Sequence, residues 1–218
     1  PPFDQAILSL DETVEVARAR GVPALADACS QLYPLDYFRR NAQSADLVSF
    51  GAKYIGAPHS AGFVCGKRDL VEAVAAHSFV SYHYDGGRAI GRAMKVDRQE
   101  IAGVVAAMDA WFTMDHEERI SGYDSRMSKM ERGLEGIVGV KMERITTHHY
   151  VPYMVHLVLD SGVLGFNADE VRSRMDTGNP RVWVGARGED TVTISVHTLN
   201  EGEDDVVIQR LRRVLTEG

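Results

Sequence analysis

Two cysteines in 218 residues, Cys29 and Cys65, leave no disulfide framework to read, so a reducing cytosol is the expected compartment. No apolar run approaches the length of a membrane-spanning helix, and no signal-peptide pattern is read at the start, so no membrane partner is expected. Basic residues are in deficit: 24 Lys and Arg against 31 Asp and Glu give a formal charge of −7. That balance argues against broad nucleic-acid binding, which needs a basic footprint, although it leaves room for a local basic patch. No glycine-rich stretch has P-loop or dinucleotide-binding form. Metal-ligand spacing is missing as well. His148 and His149 are adjacent on an expected strand and would point to opposite faces, and His77, His83 and His116 share no ligand spacing. No metal is expected, and no internal repeat or low-complexity stretch is visible.

What is present has an ordinary globular balance, 44% hydrophobic and 25% charged, with enough apolar material for a sizeable core. Ser9-x-x-Glu12 is a capping-box pattern, and Leu10, Val14 and Ala17 recur at helical spacing up to Gly21, a suitable residue just past a helix end. Val22–Asp27 and Ala45–Phe50 read as strands buried on both faces, with a short helix beginning near Tyr33 between them. Ala61–Gly66 reads as a third strand and Asp69–Ala76 as a helix. This alternation predicts an α/β layered sheet. Residues 77–97 show neither period and contain several glycines, the pattern of a long functional loop. A helix is expected from Arg98 to about His116, with helical register again at Met127–Leu134. Strands at 140–145, 153–159 and 191–196, with helices at 167–175 and 204–215, predict a small α+β domain. The expected division is 1–97 and 98–218. The opening Pro1-Pro2-Phe3 leads straight into a helix without an initiator Met, and we expect a piece of a longer chain.

The pair that carries chemistry is Asp27, closing the first strand, and Lys53, a short step beyond the second. An acid and an amine at the carboxyl ends of adjacent parallel strands can grip the two ends of one small heteroaromatic cofactor. The acid keeps a pyridine nitrogen protonated and the amine holds an aldehyde as a Schiff base, which is what pyridoxal 5′-phosphate (PLP) requires. The spacing alone leaves another reading open, since a strand-end Asp serves as a turn former and a loop Lys is commonly solvated. Gly51 and Ala52 leave room for a flat ring beside the backbone.

Five stretches, in order along nearly the whole chain, carry a resemblance: GVPALADACSQLYP (21–34), DLVSFGAKYIGAPHSAGFVCGKRDL (46–70), IGRAMKVDRQEIAG (90–103), GNP (178–180) and TLNEGE (198–203). They are similar to segments of fold-type-I PLP-dependent enzymes, in the group holding selenocysteine synthase and D-glucosaminate-6-phosphate ammonia-lyase. The resemblance implies an aspartate-aminotransferase-like fold, here the second half of the PLP-binding large domain followed by a small α+β C-terminal domain. It implies that Lys53 forms the Schiff base, that Asp27 pairs with the protonated ring nitrogen, and that Gln31 or Ser30 hydrogen-bonds the ring hydroxyl. Cys29 or Ala28 would pack on the ring. Arg92, with Lys95 near it, would anchor a substrate carboxylate or phosphate, where a surface ion pair or a helix-start interaction with Glu100 is the competing reading. Arg187 in the small domain would do the same, where a solvated hairpin charge is the competing reading. Arg offers a bidentate fork for that task. His59 is a candidate proton relay, or a surface loop residue.

The chain departs from the group in three places. Phe-Gly-Ala-Lys53 is one residue shorter than the usual turn and lacks its serine, His197 stands where an arginine is common, and the phosphate-binding turn of the N-terminal part has no counterpart. The implied activity is α-deprotonation and β-elimination on a small amino acid or amino-sugar acid by a cytoplasmic homodimer. The alternatives are an aminotransferase or selenium transferase of the same fold, or a cofactor-free remnant.

Overall fold

The computed structural model of the chain describes residues 8–81, 89–146 and 153–217. It comprises two compact units, Pro1–Met114 and Asp115–Gly218.

In the first unit, α1 (Leu10–Ala19) starts at the Ser9 capping box. Glu12 N–H donates to Ser9 Oγ, and the Glu12 carboxylate accepts from Ser9 N–H. Gly21, at φ 66°, takes the left-handed conformation that turns the chain out of the helix. The elements that follow are β1 (Leu25–Asp27), α2 (Leu35–Ser44), β2 (Leu47–Gly51), β3 (Gly62–Gly66), α3 (Arg68–Ala76) and α4 (Arg98–Thr113). The sheet order is β1-β2-β3. β1 and β2 run parallel, with Leu25 opposite Leu47 and Asp27 opposite Ser49, as the helix between them requires. β3 returns antiparallel, with Gly62 opposite Gly51 and Gly66 opposite Leu47. Gly66 lies over β2: a Cβ there would meet Asp46 O at 2.2 Å, so only glycine fits.

The core lies on one face of this sheet. Val48 (0% exposed) and Phe50 pack with Phe38 of α2 and Trp111 of α4. The Phe38 and Phe50 rings lie 4.6 Å apart, a pairing worth about 1 kcal/mol beyond its buried area. The expectation of strands buried on both faces does not hold. Leu25 is 68% exposed and β2 alternates buried and half-buried, because no described element covers the face that carries Leu25, Asp27, Ser49 and Gly51.

The single helix expected over 98–116 is also corrected. α4 stops at Thr113, and α5 (His116–Leu134) starts afresh at Asp115, whose carboxylate accepts from the N–H groups of Glu117 and Glu118.

The second unit contains α5, β4 (Val140–Ile145), β5 (Met154–Leu159), α6 (Ala168–Asp176), β6 (Gly185–Arg187), β7 (Thr191–Ser195) and α7 (Glu203–Thr216). Its strands pair antiparallel in the order β4-β5-β7-β6. Val155, Leu157, Val192 and Ile194 point to one face and pack against Met127, Met130, Val171, Met175 and Leu211 of the three helices. The alternate residues, among them His156, Thr193 and Ser195, take the other face. Edge strand β6 has no counterpart in the sequence reading because it is three residues long and holds a glycine. His83 and the His148-His149 pair lie outside the described residues.

Candidate active site

Asp27 is the last residue of β1, and its position follows from the turn that comes after it. Asp27 Oδ1 accepts from Cys29 N–H at 3.1 Å and lies 3.4 Å from Ser49 Oγ on the neighbouring strand. The carboxylate is exposed, and no lysine or arginine pairs with it among the described residues. Because Asp27 and Ser49 are register partners, they share a face, and Gly51 comes up on that same face two positions on.

β2 ends at Gly51, and the chain enters a 3₁₀ turn, Ala52–Ile55, that buries Ala52 and Ile55 and sends Lys53 into solvent. Lys53 Nζ lies 5.0 Å from the centroid of the Tyr54 ring. That ring in turn borders Gly51: a Cβ on Gly51 would sit 3.1 Å from Tyr54 Cε2, Cys29 Sγ and Cys29 O. The backbone closes the same spot, with Gly51 N–H donating to Cys29 O at 2.8 Å. Cys29 and Tyr54 therefore fill the place a side chain would take, and glycine lets them close on the backbone at the carboxyl ends of both parallel strands.

The chain contains five lysines. Lys67 pairs with Asp46, Lys129 with Asp204 and Asp205, and Lys141 with Glu143. Lys53 and Lys95 have no carboxylate partner among the described residues. Of these two, Lys53 is the one at a parallel strand end. An exposed carboxylate and an exposed primary amine, neither with an ionic partner among the described residues, are the two donor groups a pyridine aldehyde needs, so the residues present fit PLP.

The lysine turn is anchored from behind. Gly56 closes it at φ 91°, and Ala52 N–H donates to Ala61 O. α4 packs against it: Ser60 Oγ donates to Glu100, and a Cβ on Gly103 would come within 2.7 Å of Pro58 Cδ. The Ser60 hydroxyl and the Asp97 N–H hold the Glu100 carboxyl below its ordinary value. Gly103→Val is expected to push α4 off the turn, at an overpacking cost of about 1–3 kcal/mol. Urea denaturation should show a lower midpoint, and PLP titration weaker uptake; unchanged values for both would show that the contact does not position Lys53.

Asp46 secures the other end of β2. Its carboxylate accepts from Ala24 N–H at 2.7 Å and pairs with Lys67 at 2.5 Å, and Lys67 together with that N–H keeps the carboxyl low.

The remaining residues singled out by sequence fall in different places. Gln31 Oε1 accepts from Tyr37 Oη and Asn41 Nδ2, which leaves its amide N–H groups as donors; Ser30 is half-buried in the same turn. Ala28 is 2% exposed and belongs to the core, whereas Cys29 is exposed and packs against Gly51. His59 and Lys95 are exposed, and Arg92 is half-buried in the 3₁₀ turn Ile90–Ala93. Gly91 donates its N–H to His77 O at 2.8 Å, and a Cβ there would clash with that oxygen, which accounts for the glycine beside Arg92. Arg187 ends β6, exposed, in the second unit. Sequence reasoning passed over Ser49 and Tyr54. Strand alternation from Phe50 could have marked Ser49, but nothing in the sequence marks Tyr54.

His197, where the group commonly has arginine, sits in the second unit beside Tyr123, with ring centroids 6.4 Å apart. Its Nδ1 is buried without a hydrogen-bond partner among the described residues. Burial first, and the Arg119 charge second, push its pKa below the ordinary 6.5. The unfolded chain then binds a proton that the folded chain refuses, so stability is full above about pH 6.5 and falls as pH drops toward the folded value. Wild type should lose stability as pH falls below about 6.5, and His197→Asn should flatten that slope; equal slopes would contradict the assignment.

Comparison with known proteins follows the same line. No family model matches the chain. It is 30% identical over 213 residues to a 5′-C-glycyluridine monooxygenase-decarboxylase from Streptomyces sp, covering 95% of this chain and 50% of that protein. It is 24% identical over 215 residues to D-glucosaminate-6-phosphate ammonia lyase from Salmonella typhimurium, covering 96% and 53%. An L-seryl-tRNA(Sec) selenium transferase from Moorella thermoacetica matches 115 residues at 31% identity, covering 48% of this chain and 22% of that protein. The chain thus spans about half the length of the first two relatives. Among solved structures, a D-glucosaminate-6-phosphate ammonia-lyase superposes with TM-score 0.73 at 22% identity, over 98% of this chain and 55% of that one. Serine palmitoyltransferase with its PLP internal aldimine superposes with TM-score 0.53 at 17% identity, over 95% and 51%. The chain is a relative of the group holding D-glucosaminate-6-phosphate ammonia-lyase and the selenium transferases, built on the α/β fold of fold-type-I PLP-dependent enzymes.

Proposed function

We propose that this chain supplies the lysine and the ring-nitrogen carboxylate of a PLP-dependent lyase-like enzyme that acts on a small amino acid or amino-sugar acid. The observation that supports the reading is an exposed Asp27 at the end of β1 and an exposed Lys53 in the turn after the parallel strand β2, both without ionic partners among the described residues. When bound, PLP supplies an electron sink for negative charge developing at the substrate Cα.

Lys53 offers the amine that holds the cofactor carbonyl. With the cofactor bound, a free Lys53 amine would remove the Cα proton and carry it to a leaving group on Cβ. Asp27, held by Cys29 N–H and Ser49 Oγ, keeps the ring nitrogen protonated by placing a negative charge beside it. Gln31 amide N–H or Ser30 Oγ donates to the ring hydroxyl. Arg92 binds the carboxylate or phosphate of the substrate, and Arg187 is a second candidate for that task. Elimination is preferred over transamination through the ammonia-lyase relative, since the same two residues serve either outcome. We place the enzyme in the cytosol as a homodimer, on the family resemblance and the two free thiols.

The test uses amino-sugar acids and β-substituted amino acids as substrates for the PLP-loaded protein. Ammonia and keto-acid release in equal amounts supports elimination. A keto acid formed without ammonia, while the cofactor leaves in its amine form, would overturn elimination in favour of transamination. No reaction with any amino compound would overturn the enzyme reading altogether.

A further inference from the structure

A second concave site lies wholly within the small unit, and the chemistry above makes no use of it. The chain segment leading into β6 runs extended from Arg181, so its side chains alternate. Val182 and Val184 pack on the core, while Trp183 projects outward and stays 79% exposed. A tryptophan left that open is unusual, because its indole gains from burial more than almost any other side chain. Trp183 borders a cavity of about 610 Å³, within the size range of small-molecule sites.

Its wall has a definite chemistry. Gly185 shares the Trp183 face and pairs with Thr193 across the sheet. A Cβ on Gly185 would come within 2.2 Å of Thr193 Oγ1, so the hydroxyl lies over Gly185 and glycine leaves it room. Ser195 continues the same face of β7. The Thr193 and Ser195 hydroxyls line the cavity, and neither has a hydrogen-bond partner among the described residues. Each can donate to a carbonyl or accept from an N–H.

Of the two charged groups in the wall, Arg181 has an ionic partner and Glu203 is held by amide N–H groups. Arg181 Nε donates to Asp176 at 2.6 Å, and the Glu203 carboxylate accepts from Asn200 N–H and Nδ2. The cavity therefore offers one aromatic face and two free hydroxyls, and the one charge in its wall without an ionic partner among the described residues, Glu203, is negative and disfavours a phosphate.

We propose that this cavity binds an uncharged nucleoside, its base stacked on Trp183 and its polar edge hydrogen-bonded by Thr193 and Ser195. Stacking of a base on an aromatic side chain tolerates any base, and the hydroxyls satisfy a mixed donor–acceptor edge. All of its lining residues belong to the second unit, and its test does not depend on bound PLP.

Uridine is the probe, followed by calorimetry and by tryptophan emission. Trp183 dominates any quenching, because Trp111 is 7% exposed. Saturable uridine binding is expected, weakened at least about tenfold in Trp183→Ala, as loss of one stacked base contact implies. Thr193→Val and Ser195→Ala should each weaken it severalfold, and Lys53→Ala should leave it unchanged. Uridine 5′-monophosphate should bind no tighter than uridine. Circular dichroism checks that the Trp183 variant keeps the wild-type fold.

Three results would overturn the proposal. One is the absence of saturable binding at millimolar uridine. Another is binding that survives Trp183→Ala. The third is a sedimentation mass that falls from dimer to monomer in Trp183→Ala, which would make this face a contact between copies instead.

Discussion

Replacing Lys53 with alanine is expected to abolish turnover and to remove the visible absorbance of lysine-bound PLP from the purified protein. Two roles fall on this one amine. It is the attachment point of the cofactor, and it is the group placed to move the Cα proton. Loss of a positioned acid–base group alone costs about 10²–10⁴-fold in rate, and loss of covalent attachment adds to that. The fold should be unaffected, because Lys53 is exposed and its ring contact is to its sequence neighbour Tyr54. Equal urea midpoints for wild type and variant would confirm that the effect is chemical. Lys53→Arg should not rescue, since a guanidinium stays charged and cannot condense with an aldehyde. Retention of the absorbance in Lys53→Ala would sink the assignment.

The second large effect is expected at Asp27, and its two substitutions should separate charge from position. In Asp27→Asn the side-chain oxygen can still accept from Cys29 N–H and Ser49 Oγ, so the turn after β1 persists. What disappears is the negative charge beside the ring nitrogen. A charge partner within a few ångströms moves a pKa by about 1–3 units, each worth about 1.4 kcal/mol, so the ring nitrogen loses its proton near neutral pH. The expected loss in kcat is about 10²–10³-fold, with PLP still covalently bound. Asp27→Ala should lose the turn contacts as well, and therefore also retain less PLP. If Asp27→Asn matched wild type in kcat, the carboxylate would be a turn former and nothing more.

How much of this was legible beforehand varies from residue to residue, for physical reasons. The α1 start was readable because a capping box is a local pattern, Ser9 and Glu12 three positions apart, and the Asn167 start of α6 follows the same rule. The parallel pairing of the strand that ends at Asp27 with the strand before Lys53 was readable because apolar runs mark strands and a helix between them forces parallel pairing. The exposed sheet face was not. An apolar strand such as Leu25–Asp27 reads as doubly buried, whereas burial depends on what else packs against it.

The break between α4 and α5 was missed because Met114-Asp115 interrupts no apolar period; only the Asp115 cap reveals a new start. Within the site, Tyr54 became a candidate through a contact with Gly51 and Cys29 that no sequence spacing encodes. Gly103 likewise owes its place to Pro58, which lies far from it in sequence.

The central claim is that one lysine of the five holds the cofactor. Its most direct measurement is borohydride reduction of the PLP-loaded protein followed by peptide mass mapping. The account predicts a single reduced pyridoxyl adduct, on the peptide that contains Lys53, at near one per chain. An adduct on Lys67, Lys95, Lys129 or Lys141 with Lys53 unmodified, or no stoichiometric adduct at all, would contradict it.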